Sequence, residues 1–518
     1  MILPAPADFW GGLTLAVLRS SSADVPIKSA GLPNRLWFPL RQRNGLMAQS
    51  RVAPGDRVLR GSVLAGGSQA LDPLIHASTS GRVVGIEDAL LPIAAGLTGA
   101  CIVLEPDGLD EAAPPLPPLA LYGTSATDLL RRIEAAGIVG LGGAIFPTAA
   151  KLSGGAITTL ILNGVECEPT ISCDDRLLRE RAPEVLEGAE RLRRAFGIEQ
   201  VRLAIKADMI EAFVAIQQAR NETGFNRIAP VTVASRYPAG GERQLIQSLT
   251  GREVPAGSHP RDIGVLCLNV ATVAAIQCAA TRGEPLISRI VSVGGLGVRE
   301  PCNLEVRLGT PLRHLIDLCG GYSEPVDRLI IGGPMMGFSV ATDTVPITAN
   351  VNALFVAGRG QLPARSAASP CIRCGACAEV CPSGLLPQEL DWQSRQGNAP
   401  KLLADGLLDC IECGCCDVVC PSHIPLVEHF QRAKQVIRRE QLAREAADHA
   451  RRRYEARQAR LALEQAELAR SASQKKAELA QSPSAKIQEA LNKARQRRGP
   501  STQNSVLTLT DAPEEEKH

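Results

Sequence analysis

Two stretches constrain this chain of 518 residues more than any others: CIRCGACAEVCP, from Cys371 to Pro382, and CIECGCCDVVCP, from Cys410 to Pro421. Laid over each other, the copies share C-I-x-C-G-x-C-x-x-V-C-P, and each gives the spacing C-x2-C-x2-C-x3-C-P. Three thiolates on one tight loop can each reach a different iron of a cubane, and the fourth corner must then come from elsewhere in the chain. The proline stops the loop after the last cysteine, because it fixes φ and lacks an N–H.

This spacing resembles the ligand runs of bacterial two-cluster ferredoxins, in which each run gives three cysteines to one [4Fe-4S] cluster and lends its fourth to the other. The resemblance implies Cys371, Cys374, Cys377 and Cys420 for one cluster, and Cys410, Cys413, Cys416 and Cys381 for the other. Cys415 is left over, since it aligns with Ala376 and would spoil the spacing. Structural zinc and disulfides also use clustered cysteine. Zinc sites pair two C-x2-C knuckles and need no third and fourth cysteine before a proline. Disulfides belong to secreted chains, and Met-Ile-Leu-Pro at the start lacks the basic n-region of a signal peptide. Sixteen cysteines then imply a reducing compartment.

The length fits three or four domains, and 45% hydrophobic residues can support real cores. A net charge of +2 argues for neither nucleic acid nor an acidic substrate. Aromatics at 3% make base stacking an unsuitable main business. The most apolar run, AAGIVGLGGAIFPTAA (135–150), is too short and too broken by Gly and Pro to cross a membrane. The expectation is a soluble or peripheral protein that meets the membrane through partners.

The expected fold class is multidomain α/β and α+β, in five regions. Residues 1–115 alternate apolar and polar positions around Gly and Asp turns, as in VAPGDRVLRGSVLA and HASTSGRVVGIE. They resemble the barrel-sandwich domains of lipoyl and biotinyl carriers, but the hairpin GGSQALDP (66–73) has no lysine to modify. AAPPLPPLAL (112–121) reads as a linker. Residues 120–285 alternate strands and helices, with VRLAIK before an amphipathic helix, in the manner of a βαβ unit. Residues 286–350 read as strand, strand, helix, strand, a β-grasp module. The cysteine repeat occupies an α-helical two-[4Fe-4S] ferredoxin-like domain at 365–425. From 426 to 518 an Ala/Arg/Glu-rich tail favours a solvated helix fading into disorder beyond Gly499; a basic arm for a partner or anionic lipid is the alternative.

GLGGAIFPTAAK (140–151) is a glycine-rich loop of the kind that lets backbone N–H groups approach phosphate. Alone it is weak, and it is not the dinucleotide G-x-G-x-x-G pattern. With ILNGVECEPTISCDDRLL (161–178), YPAGGERQLIQSLTGREVP (237–255) and LNVATV (268–273) in the same order, it resembles the NADH-oxidising FMN subunit of respiratory complex I. A barrel-sandwich domain, this Rossmann-like FMN-binding α/β fold, a β-grasp module with GGPMMG (332–337), the cysteine repeat and the tail together resemble the RnfC family of Rnf ion-translocating electron transport complexes. The likeness covers about residues 1–430.

The resemblance implies non-covalent FMN cradled by Gly140, Gly142 and Gly143, with Lys151 near its phosphate. Asn163, Glu166, Tyr237, Gly240, Glu242, Asn269 and Thr272 would line the flavin, and Phe146 and Glu168 would face the nicotinamide nucleotide. The complex I pattern has Asp at Val165, Glu at Gly241 and Glu at Ala271, so this pocket is less acidic. Taken singly, each residue has an ordinary reading: a strand-to-helix turn for the glycines, a solvated loop for Glu166 and Glu168, packing for Phe146 and Tyr237, helix capping for Asn269 and Thr272. His76 and His423 read as structural, and Cys101, Cys167, Cys173, Cys267, Cys278, Cys302 and Cys319 as small buried hydrophobes.

The implied activity is NADH-dependent oxidoreduction, in which electrons pass between NADH, FMN and two [4Fe-4S] clusters, with no side chain acting as general base. The implied partners are the other Rnf subunits, both membrane-embedded and ferredoxin-like, and through them ferredoxin or flavodoxin. Exchange would be coupled to Na⁺ or H⁺ translocation at the cytoplasmic side of a bacterial inner membrane. Two rivals stand beside it: a related flavin and iron–sulfur reductase of the cobalamin-reductase type, and a flavin-free relay scaffold. Domain order weighs against the first, and the glycine loop with Lys151 against the second.

Overall fold

The computed structural model describes residues 8–15, 22–41, 47–67, 72–94, 96–323, 325–362, 366–481 and 483–497. The tip of the 66–73 hairpin, the opening Met-Ile-Leu-Pro and the segment from Gly499 lie outside them. The chain divides into two units, 1–434 and 435–518.

In the first unit, the alternating segments form two small antiparallel sheets. One runs in the order Leu36–Pro39, Thr98–Pro106, Gly81–Leu90, Arg57–Val58; the other in the order Gln49–Ser50, Val63–Gly66, Ile75–His76. Their inward positions, including Leu36, Phe38, Leu64, Val83, Ile102 and Leu104, make one core. His76 is buried there, which pushes its pKa down to about 4 and keeps the imidazole neutral.

The next region is built on a four-stranded parallel sheet ordered Ile228–Val233, Gln200–Lys206, Thr159–Asn163, Val265–Asn269. Its strands are apolar because both faces are covered. The helices Cys173–Ala195, Ile210–Thr223 and Val270–Thr281 share a core with them. The proline-rich stretch expected as a linker is held against this domain. Arg132 donates to the carbonyl of Pro117 at 2.6 Å, Arg191 donates to those of Leu119 and Ala120, and Leu119 N–H donates to Ala280. Two buried guanidinium groups need acceptors, and a segment poor in N–H donors still offers carbonyls.

A third sheet has six strands, ordered Ile27–Ser29, Cys302–Arg307, Ser288–Gly294, Ala353–Gly358, Val326–Ile331, Phe338–Val340. The helix Leu312–Leu318 packs into the same core. Two of the strands come from outside 286–350. Ile27–Ser29, read in sequence as part of the barrel region, pairs in parallel with Cys302–Arg307, Ile27 opposite Asn303. A three-residue strand carries no periodicity to read. Asn303 ties the junction: its amide donates to Ser22 O at 2.8 Å, and its Oδ1 accepts from Ser172 and Ser292. Cys302 and Cys319, expected as separate small hydrophobes, face each other in this core with Sγ atoms 2.9 Å apart.

The cysteine repeat forms two equivalent loops. Arg373 and Glu412 both take positive φ (56° and 58°), as do Gly375 and Gly414 (80° and 79°). Each loop runs into a one-turn helix, Ala376–Glu379 or Cys415–Val418. In each, the first cysteine sulfur accepts a backbone N–H two residues on, at 3.4 Å. The longer helices Pro387–Gln396 and Ala399–Ala404 lie between them in sequence.

In the second unit, the helix Leu426–Gln481 continues and is followed by Pro483–Arg497. Every side chain from Arg438 to Glu478 is exposed. Ala, Arg, Glu and Gln favour helix without a buried face, aided by i,i+4 ion pairs such as Arg460–Glu464. No described helix is long and apolar enough to cross a membrane.

Candidate functional site

In the parallel sheet the chain moves outward from Thr159–Asn163 to Ile228–Val233, then returns to the other side of its first strand with Val265–Asn269. The crevice outside the carboxyl ends of the two strands where the order reverses is where open parallel sheets bind ligands. Asn163 and Asn269 are the last residues of those strands and stand directly opposite each other. The glycine loop arches beside them. A Cβ on Gly142 would touch the Asn269 side chain at 3.5 Å, whereas Gly143, at φ +104°, faces open space. Leu141 N–H donates to the buried Thr272 Oγ1 at 2.9 Å, and Gly140 N–H donates to Phe146 O. Thr272 and the Phe146 backbone therefore shape the loop from behind.

Other predicted residues form the rim. Asn163 donates to Gly240 O at 2.9 Å. Lys151 donates to Glu242 at 2.6 Å and to Cys267 O at 2.7 Å. Asn269 caps the helix Val270–Thr281 by accepting from Ala271 N–H and also donates to Asp174 at 2.6 Å. The structure thus brings Gly142, Gly143, Lys151, Asn163, Gly240, Glu242 and Asn269 to one crevice.

Glu166, Glu168 and Tyr237 line a neighbouring cavity of about 400 Å³ with Lys206 and Asp208. Glu166 accepts from the N–H groups of Asp174 and Asp175 and from the Cys173 thiol, which holds it at the start of the helix Cys173–Ala195. Burial, reinforced by the nearby Asp174 carboxylate, pushes its pKa up to about 7. Glu168 reaches the GGPMMG loop and accepts from Met335 N–H at 2.6 Å and Met336 N–H at 3.2 Å. Burial outweighs those two donors and also pushes it up to about 7. Tyr237 turns away from both carboxylates: its buried hydroxyl donates to Cys413 O at 2.6 Å.

That bond leads into the cysteine loops. Cys381, Cys410, Cys413 and Cys416 line one small apolar cavity, closed by Leu385, Leu390, Val427 and Phe430. Cys415 lies in it too, fully buried. Cys371 and Cys374, in contrast, are exposed. Their loop is joined to the end of the second run by Ser369 N–H to Ser422 O at 2.8 Å and Ser422 Oγ to Pro370 O at 3.0 Å. Among the described residues, no three His, Cys, Asp or Glu side chains converge on a single metal ion. A cubane instead spreads its four thiolates over four separate irons.

Family models match four consecutive segments: the RnfC barrel sandwich hybrid domain at 7–109, the Nuo51 FMN-binding domain at 133–278, the SLBB domain at 290–339 and a 4Fe-4S dicluster domain at 370–424. A Rhodobacter capsulatus protein, named as the C subunit of an ion-translocating oxidoreductase complex, is 41% identical over 427 residues, 82% of each chain. The chain belongs to this family. The Pseudomonas aeruginosa member, of the same name, is 45% identical over 456 residues, 88% of this chain and 58% of that one. The Erwinia tasmaniensis member is 39% identical over 515 residues, 99% and 64%. The chain thus spans less than two thirds of the length of those two relatives.

The donor sets fit the groups that the matched domains take. The crevice offers a solvent-open glycine turn, an ammonium group, two carboxamides and, just behind the loop, Thr148 Oγ1, buried with no hydrogen-bond partner. The apolar cavity collects four thiols in the crossed arrangement of the ferredoxin spacing. The three departures from the complex I pattern have packing reasons. Val165 belongs to a buried core with Phe9 and Ala239. Any Cβ on Gly241 would meet Gln244 Oε1 at 2.4 Å. Ala271 packs against Val139, Leu141 and Ala349 under the glycine loop.

Sequence reasoning missed two contributors. Lys434, which is buried, donates to Cys410 O at 2.6 Å and to Glu412 at 2.7 Å. It sits in a run of Lys and Arg with nothing to single it out. Met335 packs beside Tyr237, Cys413 and Cys415; GGPMMG was legible as a motif but not as a neighbour of the cysteines.

Proposed function

We propose that this chain is the NADH-reactive, peripheral electron-input subunit of an ion-translocating oxidoreductase complex, holding FMN and two [4Fe-4S] clusters. Bound FMN would exchange a hydride with NADH at N5 and single electrons with the clusters, which relay them. The chain's residues bind and orient. Gly140, Gly142 and Gly143 give the phosphate end a close backbone approach, and Lys151, already poised at Glu242, adds positive charge. Asn163, Gly240, Glu242 and Asn269 hold the ring end, while Thr272 and Phe146 keep the loop in shape. Glu166 and Glu168 border the cavity on the nucleotide side.

The observation that carries this reading is Tyr237, which lines the carboxylate cavity with its side chain and grips Cys413 O with its hydroxyl. It makes the set Cys381, Cys410, Cys413 and Cys416 the cluster nearer the flavin. The exposed set Cys371, Cys374, Cys377 and Cys420 is then the outlet to a partner. By family membership, that partner is another subunit of the complex, ferredoxin or flavodoxin is the distal redox protein, Na⁺ or H⁺ is the coupled ion, and the site is the cytoplasmic face of the inner membrane.

The test is anaerobic. The reconstituted chain is assayed for flavin, iron and sulfide, then given NADH while visible absorbance and low-temperature EPR are recorded. Flavin bleaching together with iron for two clusters supports the route, and Lys151→Ala should weaken it. Iron without bindable flavin, and no response to NADH, turns the reading into a flavin-free relay.

A further inference from the structure

The segment Phe9–Leu13 precedes the barrel sheets and contains none of the residues assigned to flavin, nucleotide or clusters. It nevertheless touches both sides of the junction between crevice and clusters. Leu13 N–H donates to Tyr237 O at 2.7 Å and Tyr237 N–H donates back to Leu13 O at 2.9 Å, a complete antiparallel bridge. One residue earlier, Gly12 N–H donates to Val380 O at 2.9 Å, next to the ligand Cys381. Arg236 Nη1 donates to the carbonyls of Phe9 and Gly11 at 2.8 and 2.9 Å. Phe9 is buried in the core that holds Val165 and Ala239, while Leu13 packs with Tyr237, Cys413 and Met335.

The approach is so close that only glycine fits. Gly11 and Gly12 both have positive φ, +72° and +75°. A Cβ on Gly11 would lie 2.8 Å from Cys381 O, and one on Gly12 would lie 2.5 Å from Tyr237 O and 2.9 Å from the Phe9 ring. Three backbones therefore meet at the Gly-Gly pair: the segment itself, the Tyr237 turn and the end of the first cysteine run.

We propose that Phe9–Leu13 is a strap that sets the spacing between the flavin crevice and the nearer cluster, by fixing the backbone of Tyr237 against that of Cys381. Gly11 and Gly12 are positioning residues for electron transfer and touch no reacting group. The consequence for electron transfer rests on the proposed function, but the strap itself is a property of the polypeptide.

The test uses the full chain and three variants. Gly12→Ala inserts the forbidden Cβ. Arg236→Gln removes the donors to Phe9 and Gly11 and leaves the glycines intact. Gly31→Ala is the control: it also stands at positive φ (+61°), but with nothing within 4 Å of the added carbon. The first readout is amide hydrogen exchange in 237–241 and 376–385, which needs no cofactor. The second, in reconstituted protein, is the rate at which NADH-derived electrons enter the cluster EPR signal, divided by the rate of flavin bleaching. Gly12→Ala should speed exchange in both segments, keep flavin and iron bound, and lower the ratio by about tenfold or more, as expected when reactants held in place are released. Arg236→Gln should move both readouts the same way by less, and Gly31→Ala should move neither. Unchanged exchange in Gly12→Ala and Arg236→Gln overturns the strap, and so does an unchanged ratio despite faster exchange. If Gly12→Ala does not fold, Arg236→Gln decides. If the parent chain shows no NADH bleaching, the functional reading fails, and the exchange measurement alone decides the strap.

Discussion

The two cysteine loops share a sequence pattern and a backbone, down to the matched positive φ at Arg373 and Glu412, yet their surroundings differ. The second loop is enclosed. Tyr237 and Lys434 donate to its carbonyls, Met335 covers it, and Cys381 reaches over from the first run. The first loop has exposed cysteines, and residues 366–374 are exposed throughout. The ligand pattern says what each loop can hold. The contacts around it say which one is wired to the rest of the protein.

The sharpest way to break this comparison is to remove one ligand from each set. Cys381→Ser should abolish the enclosed cluster, so that NADH still bleaches flavin but no reduced-cluster EPR signal follows. Cys374→Ser should cost a similar share of iron, roughly half, and leave the enclosed cluster reducible. Identical behaviour of the two variants would mean that the two loops are not in series.

Next in size is Lys434. Lys434→Met leaves the Cys410 carbonyl and the Glu412 carboxylate without their cation. The expected loss is about 1–3 kcal/mol in denaturant unfolding. Removing a positive charge beside the enclosed loop should also lower the midpoint potential there and leave the exposed one in place, which a redox titration followed by EPR resolves. Tyr237→Phe is a smaller change. It leaves one buried acceptor on Cys413, at about 1–2 kcal/mol, with spectral change confined to the enclosed cluster.

The smallest expected effect is a slope. Glu168 titrates near 7 in the folded chain, above its ordinary carboxyl value, because burial disfavours its charge. The folded state therefore holds its proton over a range where the unfolded state has lost it, and stability falls as pH rises from about 4.5 to about 7. Glu168→Gln should remove that part of the decline in unfolding curves taken across the window. Glu166, raised for the same reason, should keep the remainder.

What was legible in the sequence was what repeats at short range. The ligand spacing, the glycine loop and the strand-then-helix pattern at 200–223 are all local, and local geometry follows from them. The crevice partners Asn163 and Asn269 were found through motifs, although their facing arrangement depends on strand order. Cys415 was set aside because it breaks a spacing, yet the fold buries it in the same cavity as four other thiols. Ile27–Ser29, Lys434 and Gly12 were invisible for a common reason: each acts through a neighbour more than twenty residues away, and in none does the residue type stand out from its own stretch. The proline-rich segment misled in the opposite sense, since its composition reads as a tether while its carbonyls are bound.

The edge strand Ile27–Ser29 also dictates an order of assembly. It pairs in parallel with Asn303–Glu305, so a chain emerging from the ribosome must carry its unpaired edge through the synthesis of the entire barrel and parallel-sheet regions before its partner exists. Closure over so long a span comes late, because loop entropy opposes it until many other contacts are made. The six-stranded sheet is thus a clasp between the oldest and the youngest parts of the nascent first unit. A fragment cut at 120, however well chosen by composition, would leave that clasp open on both pieces.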